Sequence, residues 1–553
     1  MMGLLLLLAL QDDRLANRCG SQIQWESKLE HALDAAQKQS RLVFWYVPVV
    51  DKSKMDKKAA LDAYVRGALL TDPQIVELID KNFVALAQIA KGERASKLGI
   101  VPLKFVEPGF VILNSQGELV HVFHGITTCS PEYFTYALHT ILKKPVPAPK
   151  EDPLRLGRWD EARKLYESKD DPESRYKLGA VYYFLKQEDK AMQTWKALVA
   201  SNPESPWAWR ADMELSDDSP IRRAFLPMTA LPSDACKALR ASTDCPRDEK
   251  SIPKPAVEFL LLHQRSSGAW LDSRYDFGGN DSLPNVYVAI TALCAAALFE
   301  WREVDPQRID AALEKADAYL MEESNLNPKD TDEYIWAHLY RLLYFAKRKD
   351  KAKKMETIVA SILKLQDRRG VWSHEYLNPF VTASVIHGLA VAKQAGVDIP
   401  AGPMEKAAKV LKTCRGDDGS FAYHYPPRDY FMEGSSGRVP TCELGMFLGG
   451  ESTKERLAKS IDAFFQHQKR LLTVRKYDNH ADEYHNGGFY FWYDLYGLSE
   501  TILRLDRPSA NLSRLKDLVV TLPEIDGSFI DSHELGKCYG TAMGLLTLKN
   551  CLK

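Results

Sequence analysis

The sequence predicts a multidomain chain: an α/β sandwich, then a short run of α-helical hairpins, then an α/α toroid of about six helical hairpins. Three observations point there. The chain has 553 residues, more than one hydrophobic core usually organises. Between about residues 24 and 145, helical and strand patterns alternate, the signature of an α/β layer arrangement. Beyond residue 250, a motif built on Gly and an aromatic residue returns with a period of about fifty residues. That period has room for two helices of twelve to fifteen residues and their turns, at about 1.5 Å rise per residue. Hydrophobic content of 45% and charged content of 27% are those of globular protein. A net charge of −1 gives no electrostatic reason to expect nucleic acid or an anionic membrane as partner.

At the N-terminus, Leu4 to Leu10 form an apolar run too short to span a bilayer but suited to a signal-peptide core. Residues 1–21 therefore read as a leader and tail. The expected location is periplasmic or extracellular, with no integral membrane span in the mature chain. Nine cysteines, an odd number at low density and without a C-x-x-C pair, exclude a disulfide-framework fold. Cys236 and Cys245 lie close together in a polar linker, residues 231–249. A local bridge and two free thiols both remain open there.

The first domain spans residues 22–145. "ESKLEHALDAAQKQS" has helical spacing, "RLVFWYV" is a continuous apolar strand, and Thr71 or Asp72 before Pro73 opens a second helix. "NFVALAQI" and "GFVILNSQGELVHVF" add strands, the latter two joined by a turn at Ser115-Gln116-Gly117. This order resembles the thioredoxin fold, and Glu107-Pro108 stands where that family carries its cis-proline. Where the family places C-x-x-C at a helix start, this chain has "PVVDKSKMDKK". A dithiol cycle needs a thiolate and a resolving thiol beside it, so the resemblance implies a redox-inactive module for protein contacts.

Residues 146–230 follow a Pro-rich boundary. Leu178, Gly179, Tyr182, Ala191, Trp195 and Pro203 fall at the spacings of a tetratricopeptide repeat, and Gly157, Ala162 and Tyr166 match part of a preceding unit. Two such units are fewer than a free-standing solenoid needs, so this connector should lean on a neighbour.

From 250 to 553 the rhythm is strongest. Gln264-x-x-x-Gly268-x-Trp270 is followed by Gln366-x-x-x-Gly370-x-Trp372, and weaker copies place Gly419 with Phe421 and Gly527 with Phe529. Motif starts at 264, 366, 415 and 523 fit six units, two of which lack the signature, near 315 and near 468. This half resembles the prenyltransferase and squalene-cyclase repeat family, whose Q-x-x-x-G-x-W motifs tie one helical hairpin to the next. In physical terms, Gln answers orphan backbone groups at a helix end, Gly makes the turn and Trp covers it. The motif is expected to be a fastening and not a catalytic site.

Two chemistries come with that resemblance. Cyclases of this family use D-x-D-D to protonate an alkene, and Asp330, Asp332 and Glu333 stand in "KDTDEY" ahead of an inner helix; the last position departs from the pattern. Zinc-dependent prenyl transfer uses D-x-C, but Cys538 and Cys442 are preceded at that position by Gly536 and Pro440, so no metal and no cofactor is expected. His480, Asp482 and His485 form an H-x-D-x-x-H pattern of low specificity. Tyr334, Trp336, His338, His374, His424, Tyr484, His485, Tyr490 and Trp492 are the expected lining of a cavity for an apolar or extended ligand. The leading expectation is an exported binding protein. The alternatives are a terpene-cyclase-like lyase on an isoprenoid, with Asp330 or Asp332 as acid, and a protein-assembly scaffold.

Overall fold

The computed structural model describes residues 14–48, 56–89, 93, 109–123, 126–147, 151–217, 219–228, 248–275, 281–348, 351–428, 430–475, 490–505 and 509–553. Residues 1–13 of the expected leader lie outside this set, as do Pro108, Cys236, Cys245, His480, Asp482, Tyr484 and His485. The chain divides into two compact units, Met1–Asp244 and Cys245–Lys553. Most of the secondary structure is helical, with one small mixed sheet.

The first unit is built on that sheet, which has strands β1 (Trp25–Glu26), β2 (Leu42–Val47), β3 (Phe83–Ala87), β4 (Gly109–Leu113) and β5 (Leu119–Phe123) in the order β1-β3-β2-β4-β5. β3 is parallel to β1 and β2, while β4 is antiparallel to β2 and β5. Central β2 is buried from Val43 to Val47, which explains its unbroken apolar run: both faces are covered. Helices α1 (Leu29–Gln39), α2 (Asp56–Ala68), α3 (Pro73–Asn82) and α4 (Pro131–Ile141) complete this part. α3 starts because the Asp72 carboxylate accepts from the Gln74 and Ile75 N–H groups while Pro73 takes the first helical position.

Helices α5 (Trp159–Glu167), α6 (Pro172–Phe184), α7 (Glu188–Ser201) and α8 (Pro206–Glu214) follow, each packed on the next. Gly179 permits the α6–α7 approach, since a Cβ there would lie 2.3 Å from Trp195 Nε1. That indole N–H donates to the Tyr176 carbonyl instead. These helices do not stand free within their unit. Arg210 sits over the rings of Tyr176 and Trp207 and reaches toward the Asp72 carboxylate at the start of α3. Phe225 stacks on Tyr64 of α2, and its carbonyl accepts from the Cys129 N–H.

The second unit holds six helical hairpins among its described residues. The outer helices are α9 (Pro253–His263), α11 (Pro306–Met321), α13 (Ala352–Lys364), α15 (Ala401–Thr413), α17 (Lys454–Val474) and α19 (Ala510–Val519). Their inner partners are α10 (Leu283–Glu300), α12 (Tyr334–Phe345), α14 (Pro379–Gln394), α16 (Val439–Leu448), α18 (Phe491–Leu505) and α20 (Gly536–Cys551). Each inner helix packs on the next, and α20 packs back on α10, so the ring closes as a helical toroid. The units near 315 and 468 are the hairpins α11–α12 and α17–α18. Inner helices are apolar nearly all round because helices cover them on every side. α10 is long and apolar enough to cross a membrane, yet it is an inner helix of this ring.

The fastening loops repeat one geometry. Gln264 Nε2 donates to the Gly268 carbonyl at 3.0 Å and to the Ala312 carbonyl of the next outer helix at 2.8 Å. Gln366 Nε2 does the same with Gly370 and Pro403, both at 3.0 Å. Gly268 has φ +90°, and a Cβ there would lie 2.2 Å from the Lys315 carbonyl oxygen, so no side chain is admitted. Trp270 and Trp372 are buried, with their indole N–H groups on the Leu260 and Ile362 carbonyls. Their backbone N–H groups donate to hydroxyls of the inner helix, Thr291 and Thr382. The weaker copies keep the hydroxyl half: Phe421 N–H donates to Ser435 and Phe529 N–H to Thr541.

Candidate functional site

Inner-helix starts gather at one rim of the ring, and buried carboxylates answer their free N–H groups. Asp531 accepts from the Phe491 and Trp492 N–H groups at the start of α18, and Asp272 accepts from the Cys538 N–H of α20. Asp330 has the same task for α12. Its oxygens accept from the N–H groups of Asp332 and Glu333, from Ser282 Oγ at 3.2 Å and from Asn285 Nδ2 at 2.8 Å. With donors on both oxygens and no exposed surface, Asp330 holds two helix starts together instead of facing a ligand.

Asp332 and Glu333 are also buried, but they turn toward a hairpin that carries no motif. Strands β6 (Ser373–His374) and β7 (Tyr376–Leu377) pair antiparallel with Glu375 between them. Glu375 has φ +61°, a left-handed conformation that costs a non-glycine residue about 1–3 kcal/mol and concentrates at functional sites. The turn points its N–H at the Asp332 carboxylate. Burial, and then the Asp332 charge, push the Glu375 carboxyl up to about 7. Burial and then Asp330 also raise Asp332 above the usual carboxylate range. The two carboxyls are thus raised together, each by burial first and by a neighbouring carboxylate second.

His374 joins them. Its Nδ1 lies 3.2 Å from the Asp332 carbonyl and 3.3 Å from Glu333 Oε1, and its Nε2 lies 3.5 Å from Glu375 Oε1. Burial lowers this imidazole to about 4, so at neutral pH it is uncharged. The hydrogen-bond pattern fits the tautomer with the proton on Nδ1, leaving the unprotonated Nε2 facing Glu375.

Aromatic rings from helices that are not ring neighbours close over this cluster. Trp336 of α12 meets His374 at 5.9 Å, Tyr340 at 5.7 Å and Tyr493 of α18 at 5.8 Å between centroids. The Tyr493 hydroxyl pairs with Ser384 Oγ of α14 at 2.7 Å. Phe380 and Tyr376 both contact Tyr423, over which the Arg438 guanidinium sits at 4.9 Å. Tyr275, edge-on to Tyr490, lies near enough to feel the charges of Glu333 and Glu375.

Of the residues expected to line a cavity, the structure thus brings Trp336, His374 and Tyr490 to this rim, with half-buried His424 beside Tyr376. It separates others. Trp492 is fully buried against Phe529 and donates to the Ile530 carbonyl, a packing position. Tyr334 and His338 stand edge-to-face on the side of α12 away from Trp336, as a 100° step per residue requires. Glu375, Tyr376 and Tyr423 went unmarked in the sequence; a positive-φ acid in a tight turn leaves no pattern there. Cys294, Cys442 and Cys538 are buried thiols, and burial raises Cys294 and Cys442 well above the usual thiol range. Among the described residues, no three His, Cys, Asp or Glu side chains converge as a metal-binding group.

No protein-family model and no curated protein matches the chain. Among solved structures, a type II terpene cyclase from Scytonema, in complex with geranylgeranyl dihydroxybenzoate, aligns with 55% of this chain and 97% of that chain. Identity is 13% and the TM-score 0.36. At that level the likeness assigns neither activity nor ligand to this chain.

Proposed function

We propose that the toroid is an acid–base catalyst acting on a ligand with an apolar, aromatic-recognised body, a lyase or isomerase of the cyclase-like kind. The observation that carries this reading is the Glu375 carboxyl, pushed up to about 7 beside Asp332, in a turn whose flanking residues His374 and Tyr376 meet the rings of Trp336 and Tyr423. A carboxyl that exchanges its proton near neutral pH is matched to general acid–base work, worth about 10²–10⁴-fold in rate. In the most specific form of this reading the substrate is an isoprenoid. Protonating an unactivated alkene needs a stronger acid than Glu375, so the donor in that form is Asp332 when it, and not Glu375, carries a proton, and turnover should rise as pH falls below neutral. Asp330 stays a capping residue in either form.

For the first unit the reading is a thioredoxin-like module without dithiol chemistry and a tetratricopeptide-like connector, in an exported chain. Buried Cys19 and Cys129, with Cys19 raised to about 11 by burial, suit no thiolate role. The scaffold reading draws on one observation, the exposed Leu119 and Val120 on edge strand β5.

The test is mass spectrometry of small molecules that copurify with the full chain, followed by incubation with linear isoprenoids. Proton-transfer function predicts a converted product that Asp332→Asn and Glu375→Gln reduce about 10²-fold or more. A ligand recovered unchanged from the wild-type protein, under all conditions, refutes catalysis and leaves binding alone.

A further inference from the structure

The opposite face of α12 presents chemistry that the rim does not use. Tyr334, His338 and Arg341 are spaced four and three residues apart and therefore share one face. Arg341 is fully buried and His338 is 1% exposed. The Arg341 Nη2 group donates to Glu323 Oε1 at 2.6 Å. Its Nε and Nη1 groups and both ring nitrogens of His338 are buried, with no hydrogen-bond partner among the described residues. A guanidinium carries five N–H donors in a fixed fork, so three of them stand unanswered, together with the imidazole N–H. Burying such donors without acceptors is costly.

The charges around this face do not balance. Arg341 and Lys354 of α13 are both cationic, and Lys354 donates to Glu323 and to the Met321 carbonyl. Among the described residues Glu323 is the carboxylate paired with them, held near 2 by its bonds to both cations against the opposing pull of burial. It is half out in solvent, with a side-chain exposure of 54%, while the guanidinium it neutralises is enclosed. His338 is neutral, lowered to about 4 by burial and then by Arg341. Two cations, one peripheral carboxylate and a set of enclosed N–H donors match an anion with several acceptor oxygens.

We propose that the buried donor set formed by α12, α13 and the turn Glu323–Asn325 binds a small oxyanion of the phosphate, sulfate or carboxylate type, gripped by Arg341, His338 and Lys354. Glu323 is its resident competitor, a side chain at the mouth that swings away when the oxyanion enters. The site is independent of the rim carboxyls and of the function read from them.

Isothermal titration of the full chain with inorganic phosphate, sulfate and acetate, at constant ionic strength made up with chloride, tests this directly; thermal unfolding in the same buffers gives a second readout. The expected result is saturable binding of at least one of the three, with a Tm that rises with its concentration. Phosphate or sulfate above acetate assigns a tetrahedral, multiply charged ligand, and acetate above both assigns a carboxylate. Glu323→Gln removes the competitor and should tighten binding about tenfold, while Lys354→Met should weaken it about tenfold, the scale of one charge-assisted hydrogen bond. Both positions reach the surface, so these variants test the proposal even where Arg341→Met fails to fold. Absence of saturable binding in both wild type and Glu323→Gln overturns it, as does binding that Lys354→Met and Glu323→Gln leave unchanged.

Discussion

The fastening loops and the carboxyl rim both hang on the inner helices of one ring, yet they use a left-handed residue to opposite ends. At Gly268 and Gly370 the positive φ belongs to glycine, which lets the first approach the Lys315 carbonyl and the second the Lys406 side chain, while Gln264 and Gln366 bridge to the next outer helix. At Glu375 the positive φ belongs to a carboxylic acid, which is thereby pressed against Asp332 and His374. The first arrangement lowers the energy of the fold and does no chemistry. The second stores strain beside a carboxyl raised by burial, so that under the proposed function stability and reactivity are divided between neighbouring turns of the same repeat.

The division is sharpest where the effects are largest. Gly268→Ala puts a Cβ into the Lys315 carbonyl and should cost about 3 kcal/mol or more in chemical denaturation, with no change in any pH dependence. Gly419, whose nearest neighbour to a Cβ is 3.7 Å away, should lose only the cost of its backbone conformation, about 1 kcal/mol. Equal losses at the two glycines would break the claim that close backbone approach is what excludes a side chain at Gly268.

Rim substitutions should move stability the other way. The Glu375 carboxyl is raised in the folded chain from an ordinary 4.5 to about 7. Below about pH 4.5 folded and unfolded chains both hold the proton. As pH climbs toward 7, the unfolded chain ionises first and the fold loses stability. Glu375→Gln should therefore be more stable than wild type at pH 8 by about 1–3 kcal/mol, with the gap closing toward pH 4. His374 runs in the opposite sense. Lowered from 6.5 to about 4, it contributes stability that is complete above pH 6.5 and lost as pH falls toward 4, and His374→Gln should flatten that acid limb in thermal unfolding.

Two smaller effects sharpen the contrast further. Asp330→Ala should cost about 1–2 kcal/mol, the worth of a helix cap with added partners, and should leave the Glu375 titration in place. Glu375→Gly, which removes both strain and carboxyl, should exceed Glu375→Gln in stability by about 1 kcal/mol.

How much of this was legible in advance follows the same line. The motif loops speak through residue type, because only Gly tolerates the Gly268 position and only a large ring covers the turn, so their fifty-residue beat foretells a ring of hairpins. The hairpins α11–α12 and α17–α18 lack the beat and were placed by spacing alone. Thr291, Thr382, Ser435 and Thr541 complete the fastening, but a hydroxyl in an apolar helix reads as filler until its partner N–H is seen. The acid D-x-D-E stretch does stand at the start of an inner helix, but nothing in it tells that Asp330 caps two helix starts while Asp332 turns toward Glu375. Glu375 leaves no signal, since its properties come from burial and from Asp332, distant in sequence and brought near only when adjacent hairpins pack.

The most direct test is a 13C NMR titration of the side-chain carboxyl of Glu375, assigned by its loss in Glu375→Gln. The account predicts a midpoint near 7 that falls in Asp332→Asn, where the neighbouring charge is gone. A midpoint at the ordinary 4.5 of a solvated glutamate, unmoved by Asp332→Asn, would contradict it.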